Sequence, residues 1–304
     1  MRLILILLLF FSIKSFSKNE QNVSLPMKCI KGQQLSNRFL DEHYQSGVFT
    51  LYYTLKGDDK LSDVSRVTSK SPPVRIIDIA KQLKSANQFY QQDVKLTFPL
   101  NQSIYKEIKH INVFIIDLKL NGSAFDKPAF ETFSDGSTTK CGLRIMISNK
   151  LDPHVKQTPA HELFHLYQYG YAIFKQTWYL EGMARWMETT FKTDENVRVE
   201  VDKPFNCRSW YTKSYDAALF WQSVAHRYAD VMVTTPQQYY SGQEPVFKKE
   251  SFAGGGMVAP LLSKLSTTSR EIALKNHRPI RDWSAAQRRQ PRDNDTICRI
   301  VNQS

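Results

Sequence analysis

Apolar residues recur at helical spacing in four clear stretches of the chain and cluster or alternate, strand-like, in three others. The first strand-like stretch is Val48 to Leu55, inside an otherwise irregular region running from Lys18 to about residue 70. Ser71-Pro72-Pro73 then opens an amphipathic helix whose apolar face is Ile76, Ile79, Ala80, Leu83 and Ala86. Ile111 to Leu120 is rich in β-branched residues, and Gly142 to Ser148 places Leu143, Ile145 and Ile147 on one face, so both predict strands. Asn121 to Lys140, bearing Gly and Ser, links them as a long loop or hairpin.

Three more helices follow. One starts at Thr158-Pro159, a capping threonine with proline at the first helical position, and stops at Gly170. Its core stripe is Ala160, Leu163, Phe164 and Tyr167, while His161, His165 and Gln168 form a separate polar stripe beside it. The next has Leu180, Met183, Ala184, Met187 and Phe191 on its apolar side and Glu181, Arg185 and Glu188 on another. A third begins at Tyr215, with Ala217, Phe220, Trp221 and Val224 as its stripe. Beyond Asp230 the chain reads as loop-rich, with Gly254-Gly255-Gly256 and short helices around Met257 to Leu265 and Arg270 to Asn276. Strand-like and helical stretches together predict an α+β fold, and no internal repeat is visible.

The length of 304 residues allows one large domain or two lobes. Residues 1–17 read as a secretory signal peptide: Arg2 starts it, Leu3 to Phe11 is unbroken apolar, and Ser15-Phe16-Ser17 supplies small residues for cleavage. No later stretch is apolar for long enough to span a bilayer, so the mature chain is expected to be exported, to periplasm or medium, without a transmembrane segment. The four cysteines then read as two disulfides, with Cys141–Cys207 and Cys29–Cys298 the expected pairs. The formal charge is +12, and loss of Arg2 and Lys14 with the leader leaves about +10. Its densest cluster is Arg278, Arg281, Arg288, Arg289 and Arg292, expected to be a solvated surface with at most weak contact to an anionic envelope. No nucleic-acid-binding motif or aromatic-interleaved basic stretch accompanies it, so nucleic acid is not an expected partner.

The chemistry concentrates in His161-Glu162-Leu163-Phe164-His165. Residues four apart lie one above the other on a helix, so the two histidines can hold one metal ion. Glu162, about a hundred degrees further round, is close to that ion but badly placed to bind it. Glu181, sixteen positions past His165, can supply a third ligand from the next helix, with Glu188 a weaker rival. Three protein ligands with a fourth position open characterise a catalytic zinc ion. Glu162 is then the natural general base, and Glu188 and Gln168 suit orienting the ligands by hydrogen bonds. His43, His110, His154, His226 and His277 read as non-ligands.

These residues carry a family resemblance. HELFH, Leu180-Glu-Gly-Met-Ala-Arg-Trp-Met-Glu188 and Ser214-Tyr-Asp-Ala-Ala-Leu-Phe-Trp221 resemble the gluzincin metallopeptidases of the thermolysin-like and membrane-alanyl-aminopeptidase type. The likeness spans about Pro72 to Arg227 and is specific in those three motifs. It implies a zincin-type α+β catalytic core, a small mixed sheet plus active-site helices, over residues 71–230; residues 231–304 read separately as a loop-rich, mainly helical, basic C-terminal region. It also implies one zinc ion on His161, His165 and Glu181, Glu162 as general base, and Tyr215 as hydrogen-bond donor to the oxyanion. Two departures matter. No Gly-x-Met-Glu-Asn segment precedes HELFH, which disfavours an aminopeptidase and favours an endopeptidase acting on peptides or proteins. Arg185 stands where thermolysin-type enzymes have an acidic partner for a ligand histidine. The strand Gly142 to Ser148 is the expected substrate-binding edge. Two alternatives remain at this level: a non-catalytic, zinc-stabilised binding or envelope module, and a metal-free exported interaction protein.

Overall fold

The computed structural model describes residues 26–193 and 205–303, so the expected signal peptide lies outside the described residues. Eight strands are described: β1 (Ile30–Lys31), β2 (Glu42–Ser46), β3 (Phe49–Tyr53), β4 (Ile111–Ile116), β5 (Gly122–Phe130), β6 (Gly142–Ser148), β7 (Val233–Thr234) and β8 (Ser251–Phe252). The α-helices are α1 (Val74–Gln88), α2 (Thr158–Tyr171), α3 (Thr177–Met187), α4 (Ala218–His226), α5 (Val258–Lys275) and α6 (Pro291–Asn302). The fold is mixed α/β. Six strands form one sheet in the order β1-β5-β6-β4-β3-β2, and β7 pairs with β8. Neighbours β3, β4 and β6 run parallel, whereas β2 is antiparallel to β3 and β5 to β6. None of the described helices is long and apolar enough to cross a membrane.

Every residue of β4 and β6 is buried, because both faces of the sheet are covered. Leu143, Ile145 and Ile147 face the main core with α1 and α2, while Phe114, Ile116 and Met146 face a smaller cluster with Leu35, Leu40 and Phe133. Ile76, Ile79 and Leu83 of α1 are fully buried, each contributing roughly 1.5–3 kcal/mol. Trp178 of α3 stacks on Trp221 of α4 at 5.8 Å and 11°, with Phe220 edge-on to both, so these two helices share an aromatic seam.

Several expectations need correction. Residues 26–70 are not irregular outside one strand: they supply three strands to the sheet that holds β4 and β6. The strand expected over Ile111 to Leu120 ends at Ile116, where Asp59 Oδ1 accepts from the Asp117 amide at 2.8 Å. The chain then turns, leaving Leu120 72% exposed, and returns as β5, which replaces part of the expected loop. β6 is therefore an interior strand with neighbours on both sides, and cannot be the substrate-binding edge. The more open strand is β5: among the described residues its outer side is paired only at Ala129 and Phe130, with β1.

The disulfides are Cys29–Cys141 and Cys207–Cys298, not the expected pairs. Ile30, Ala129 and Gly142 lie in one row across β1, β5 and β6, and Cys29 and Cys141, each next to that row, meet with their Cα atoms 6.1 Å apart. The second bridge fastens α6 beside residues 205–207, where Asn302 also bonds Phe205. In place of two short helices, α5 is continuous through Ser263-Lys-Leu-Ser-Thr-Thr-Ser269. There Thr267 and Ser269 donate to the carbonyls of Ser263 and Leu265, four residues back, so their hydroxyls do not compete with the helix. Arg288 also departs from its expected solvated role. It is 2% exposed and donates to Asp126 Oδ2 at 2.6 Å, pinning the C-terminal region to β5; Arg289 and Arg292 remain exposed.

His154, read as a non-ligand, is a clamp. Its Nε2 lies 3.0 Å from Asp78 Oδ2 on α1 and its Nδ1 2.8 Å from Glu244 Oε2. The other Asp78 oxygen accepts from the Ser241 amide and hydroxyl, so the pair ties the 240–244 turn to α1. Burial lowers the proton affinity of His154, but the hydrogen bonds to Glu244 and Asp78 outweigh it and raise the pKa above its ordinary value. A raised imidazole pKa stabilises the fold fully below the unfolded value of about 6.5 and loses that contribution as pH rises through the folded value. The stability deficit of His154→Ala, measured by denaturant titration, should therefore be largest near about pH 6 and shrink as the pH rises.

Candidate metal centre

The α2 helix is almost wholly interior: ten of its residues, Pro159 to Gln168, are buried. Its apolar stripe packs on α1 and the sheet, and just past α1 the Tyr90 hydroxyl donates to the Ala160 carbonyl at 3.2 Å. The polar stripe faces α3. Gly182 makes close approach possible on the far side of α3: a Cβ there would lie 2.6 Å from Ala217 Cβ and 2.9 Å from its carbonyl carbon. The turn Tyr215–Ala217 is thereby seated directly against α3, beside Glu181.

Three side chains converge. His161 Nε2 and His165 Nε2 lie 3.2 and 3.4 Å from the same oxygen, Glu181 Oε2. One ligand atom from each of the three lies within 4.8 Å of the others. The two imidazole rings are 4.7 Å apart and nearly perpendicular. Their outer nitrogens are held separately. Gln168 Oε1 sits 2.8 Å from His165 Nδ1, and the same amide donates through Nε2 to the carbonyls of Tyr179 and Leu180, so its oxygen is the acceptor. Glu188 Oε2 sits 3.1 Å from His161 Nδ1, while its Oε1 accepts from Arg185 and, at 2.7 Å, from Lys192. With both Nδ1 atoms turned outward to these partners, both Nε2 atoms point at Glu181 Oε2, and a cation that displaced the proton there would meet their lone pairs.

Electrostatics follow from this crowding. Burial works against a charged His161, but hydrogen bonds to Glu181 and Glu188 override it and raise its pKa to about 10. Burial would raise Glu181, yet the hydrogen bonds from His161 and His165 hold it well below the usual carboxylate range. Glu188 is likewise lowered, to about 2, against burial, by His161 and its cationic neighbours. Glu162 moves the other way: it is 6% exposed, and burial raises its pKa. The β5 backbone lies over it, since a Cβ on Gly122 would meet Thr158 Cγ2 at 2.5 Å and Glu162 Cγ at 2.9 Å. Tyr215 is 55% exposed with its ring 5.8 Å from that of His161; burial and then the carboxylates of Glu181 and Glu162 push its phenol up to about 12. A cleft of about 450 Å³ opens onto Glu162, bounded by Lys119, Gly122, His161, Arg185 and Tyr215 among others.

Thus His161, Glu162, His165, Glu181 and Tyr215, together with the orienting pair Gln168 and Glu188, are gathered at one place. His226 is exposed at the end of α4, and His43 and His277 are also exposed. No family model, curated protein or solved structure matches the chain. The site therefore has to be judged on its own geometry. Two nitrogen donors and one carboxylate oxygen, with tautomers set by outer partners, suit a zinc ion.

Some of the site was not foreseen. Tyr169 stacks on His165 at 5.9 Å and 13°, and Lys175 Nζ lies 3.8 Å above the Tyr169 ring. Tyr169 is four residues past His165, a spacing that places it on the same helix face and could have revealed it. Lys192, four residues past Glu188, carried the same kind of signal, whereas Lys119 carried none, because it reaches the cleft from the turn between β4 and β5.

Removing an orienting partner should weaken the metal without removing a ligand. Glu188→Gln and Gln168→Ala are each expected to lower zinc affinity about 10–100-fold in a chelator competition. A cation must also displace the proton that His161 holds below about pH 10. Zinc affinity should therefore rise about tenfold per pH unit between about pH 6 and pH 8 when the competition is repeated across that range, beyond the chelator's own titration.

Proposed function

We propose that this chain is an exported, zinc-dependent hydrolase that cleaves peptide bonds, an endopeptidase rather than an aminopeptidase, with a zincin-type core. The observation that carries the reading is the convergence of His161, His165 and Glu181 on one point beside the buried carboxyl of Glu162, at the floor of an open cleft. Zinc held by those three residues supplies a Lewis acid that acidifies water and polarises a carbonyl.

The chain's own groups do the rest. Glu162 takes a proton from the attacking water and delivers it to the leaving amine; a carboxyl whose pKa is raised by burial is better matched to that shuttle near neutral pH than an ordinary one. Tyr215, half-exposed above the histidines, keeps its proton up to about pH 12 and so remains a hydrogen-bond donor to the oxyanion of the tetrahedral intermediate. Gln168 and Glu188 keep the imidazoles in register. The outer side of β5 near Gly122 offers backbone groups to an extended peptide, which would add a strand beside the cleft. An antiparallel edge strand lying over the helix that bears both histidines supports the zincin-type reading, and two disulfides fit an oxidising compartment.

The test pairs metal content with turnover on a degenerate peptide library. Glu162→Gln should keep one zinc ion by elemental analysis and lose on the order of 10²–10⁴-fold in kcat/KM, whereas His161→Ala should lose both metal and activity. Full turnover by Glu162→Gln would remove this mechanism. A zinc-replete wild-type protein that cleaves no member of the library would favour a binding module instead.

A further inference from the structure

Two cationic side chains, Lys119 and Arg185, line the cleft over Glu162. Glu188 Oε1 accepts from both Arg185 and Lys192, so one carboxylate faces two positive charges besides its bond to His161. Lys192 is largely buried, but the Arg185 side chain is 48% exposed and lines the cleft. Arg185 bonds Glu188 through Nη1, and a guanidinium has five N–H donors, enough to serve a second acceptor. Opposite the α3 side, Lys119 stands on the turn between β4 and β5, exposed at the cleft rim, with no hydrogen bond or ion pair to any described residue. The turn itself is anchored, because Asp117 binds Lys150 at 2.8 Å and its amide donates to Asp59. Lys119 is therefore a cation held at the cleft without a partner of its own.

Such an arrangement attracts an anion that enters the cleft. We propose that the cleft selects peptides carrying a carboxylate close to the bond cleaved, gripped by Lys119 and Arg185. The word "cleaved" rests on the hydrolase reading above; the carboxylate recognition is a binding property and stands or falls separately. Two sources share this chemistry: an aspartate or glutamate side chain in the substrate, or the free C-terminus of the peptide. Arg185 suits either, because its planar fork matches a carboxylate, and Lys119 adds a point charge at the rim. Both cations are solvent-facing, so the preference should be moderate and screened by salt.

The experiment measures binding first. Fluorescently labelled peptides are titrated by anisotropy against zinc-loaded Glu162→Gln protein, in pairs that differ only by glutamate against glutamine, or by a free against an amidated C-terminus. The expected result is binding about tenfold tighter for the carboxylate-bearing member of at least one pair, narrowing as salt is added. Lys119→Glu, at an exposed and unpartnered position, should erase most of that preference with an unchanged Tm. Arg185→Gln should do the same, with zinc content as its control because Arg185 also touches Glu188. A preference confined to the first pair assigns a side-chain carboxylate; one confined to the second assigns the C-terminus. Equal affinity within both pairs, no binding of any peptide, or a preference that Lys119→Glu leaves intact would overturn the proposal. A carboxylate preference with no hydrolysis by the wild type would keep it while removing the hydrolase reading; hydrolysis indifferent to the carboxylate would do the reverse.

Discussion

Two imidazoles and three carboxylates share the interior between α2 and α3, and mutual satisfaction of those five groups is the constraint on which the surrounding structure depends. An uncompensated charge at such depth costs several kcal/mol, so each group needs a partner or a reason to stay neutral. Glu181 is answered by both histidines, Glu188 by His161, Arg185 and Lys192, and His165 by Gln168. Glu162 takes the other route, with burial raising its pKa toward the neutral form. This difference gives three neighbouring glutamates distinct charge environments, as the proposed division into ligand, orienting group and proton carrier requires.

Packing makes that arrangement possible. The aromatic seam of Trp178, Phe220 and Trp221 joins α3 to α4, and Gly182 lets the Tyr215 turn sit against the α3 backbone. The same elements that bury apolar area therefore also set the distance from Tyr215 to His161. On the opposite side, Gly122 allows β5 to lie on Thr158 and Glu162, so an edge strand and a buried acid meet at the cleft. Farther out, Arg288 and Lys175 share Asp126 of β5, linking the C-terminal region to the strand beside the site. Stability and site geometry draw on one set of contacts here.

Much of the site was legible along the chain because it is written in local spacing. His161 and His165 are one helical turn apart, and their separation from the apolar stripe of Leu163, Phe164 and Tyr167 is visible without coordinates. Gln168 and Glu188 could be nominated as orienting groups for the same reason. The strands β4 and β6 were legible as apolar runs, though their ends were not: Asp117 leaves the strand because Asp59, 58 residues earlier, takes its amide. The gap between the two short helices expected around Met257 to Leu265 and Arg270 to Asn276 falls on Ser266-Thr-Thr-Ser269, residues that favour caps and turns in isolation. In the fold their hydroxyls bond back along the helix and its stripe is buried, so tertiary packing prevailed over local preference.

What the sequence by itself determined is the helical register that places two imidazoles on one line, the acid between them, and the apolar faces that drive those helices inward. What only the tertiary structure decided are relations between distant segments. These include the pairing Cys29–Cys141 and Cys207–Cys298, the choice of β5 rather than β6 as the more open strand, the burial of Arg288, and the arrival of Lys119 at the cleft of the candidate metal centre. The division has a physical cause. Helical periodicity is set by hydrogen bonds four residues apart, so it leaves a trace in neighbouring letters. Which strand meets which, and which distant side chains come to share one cleft, is settled by the packing of the whole core, and no local spacing records it.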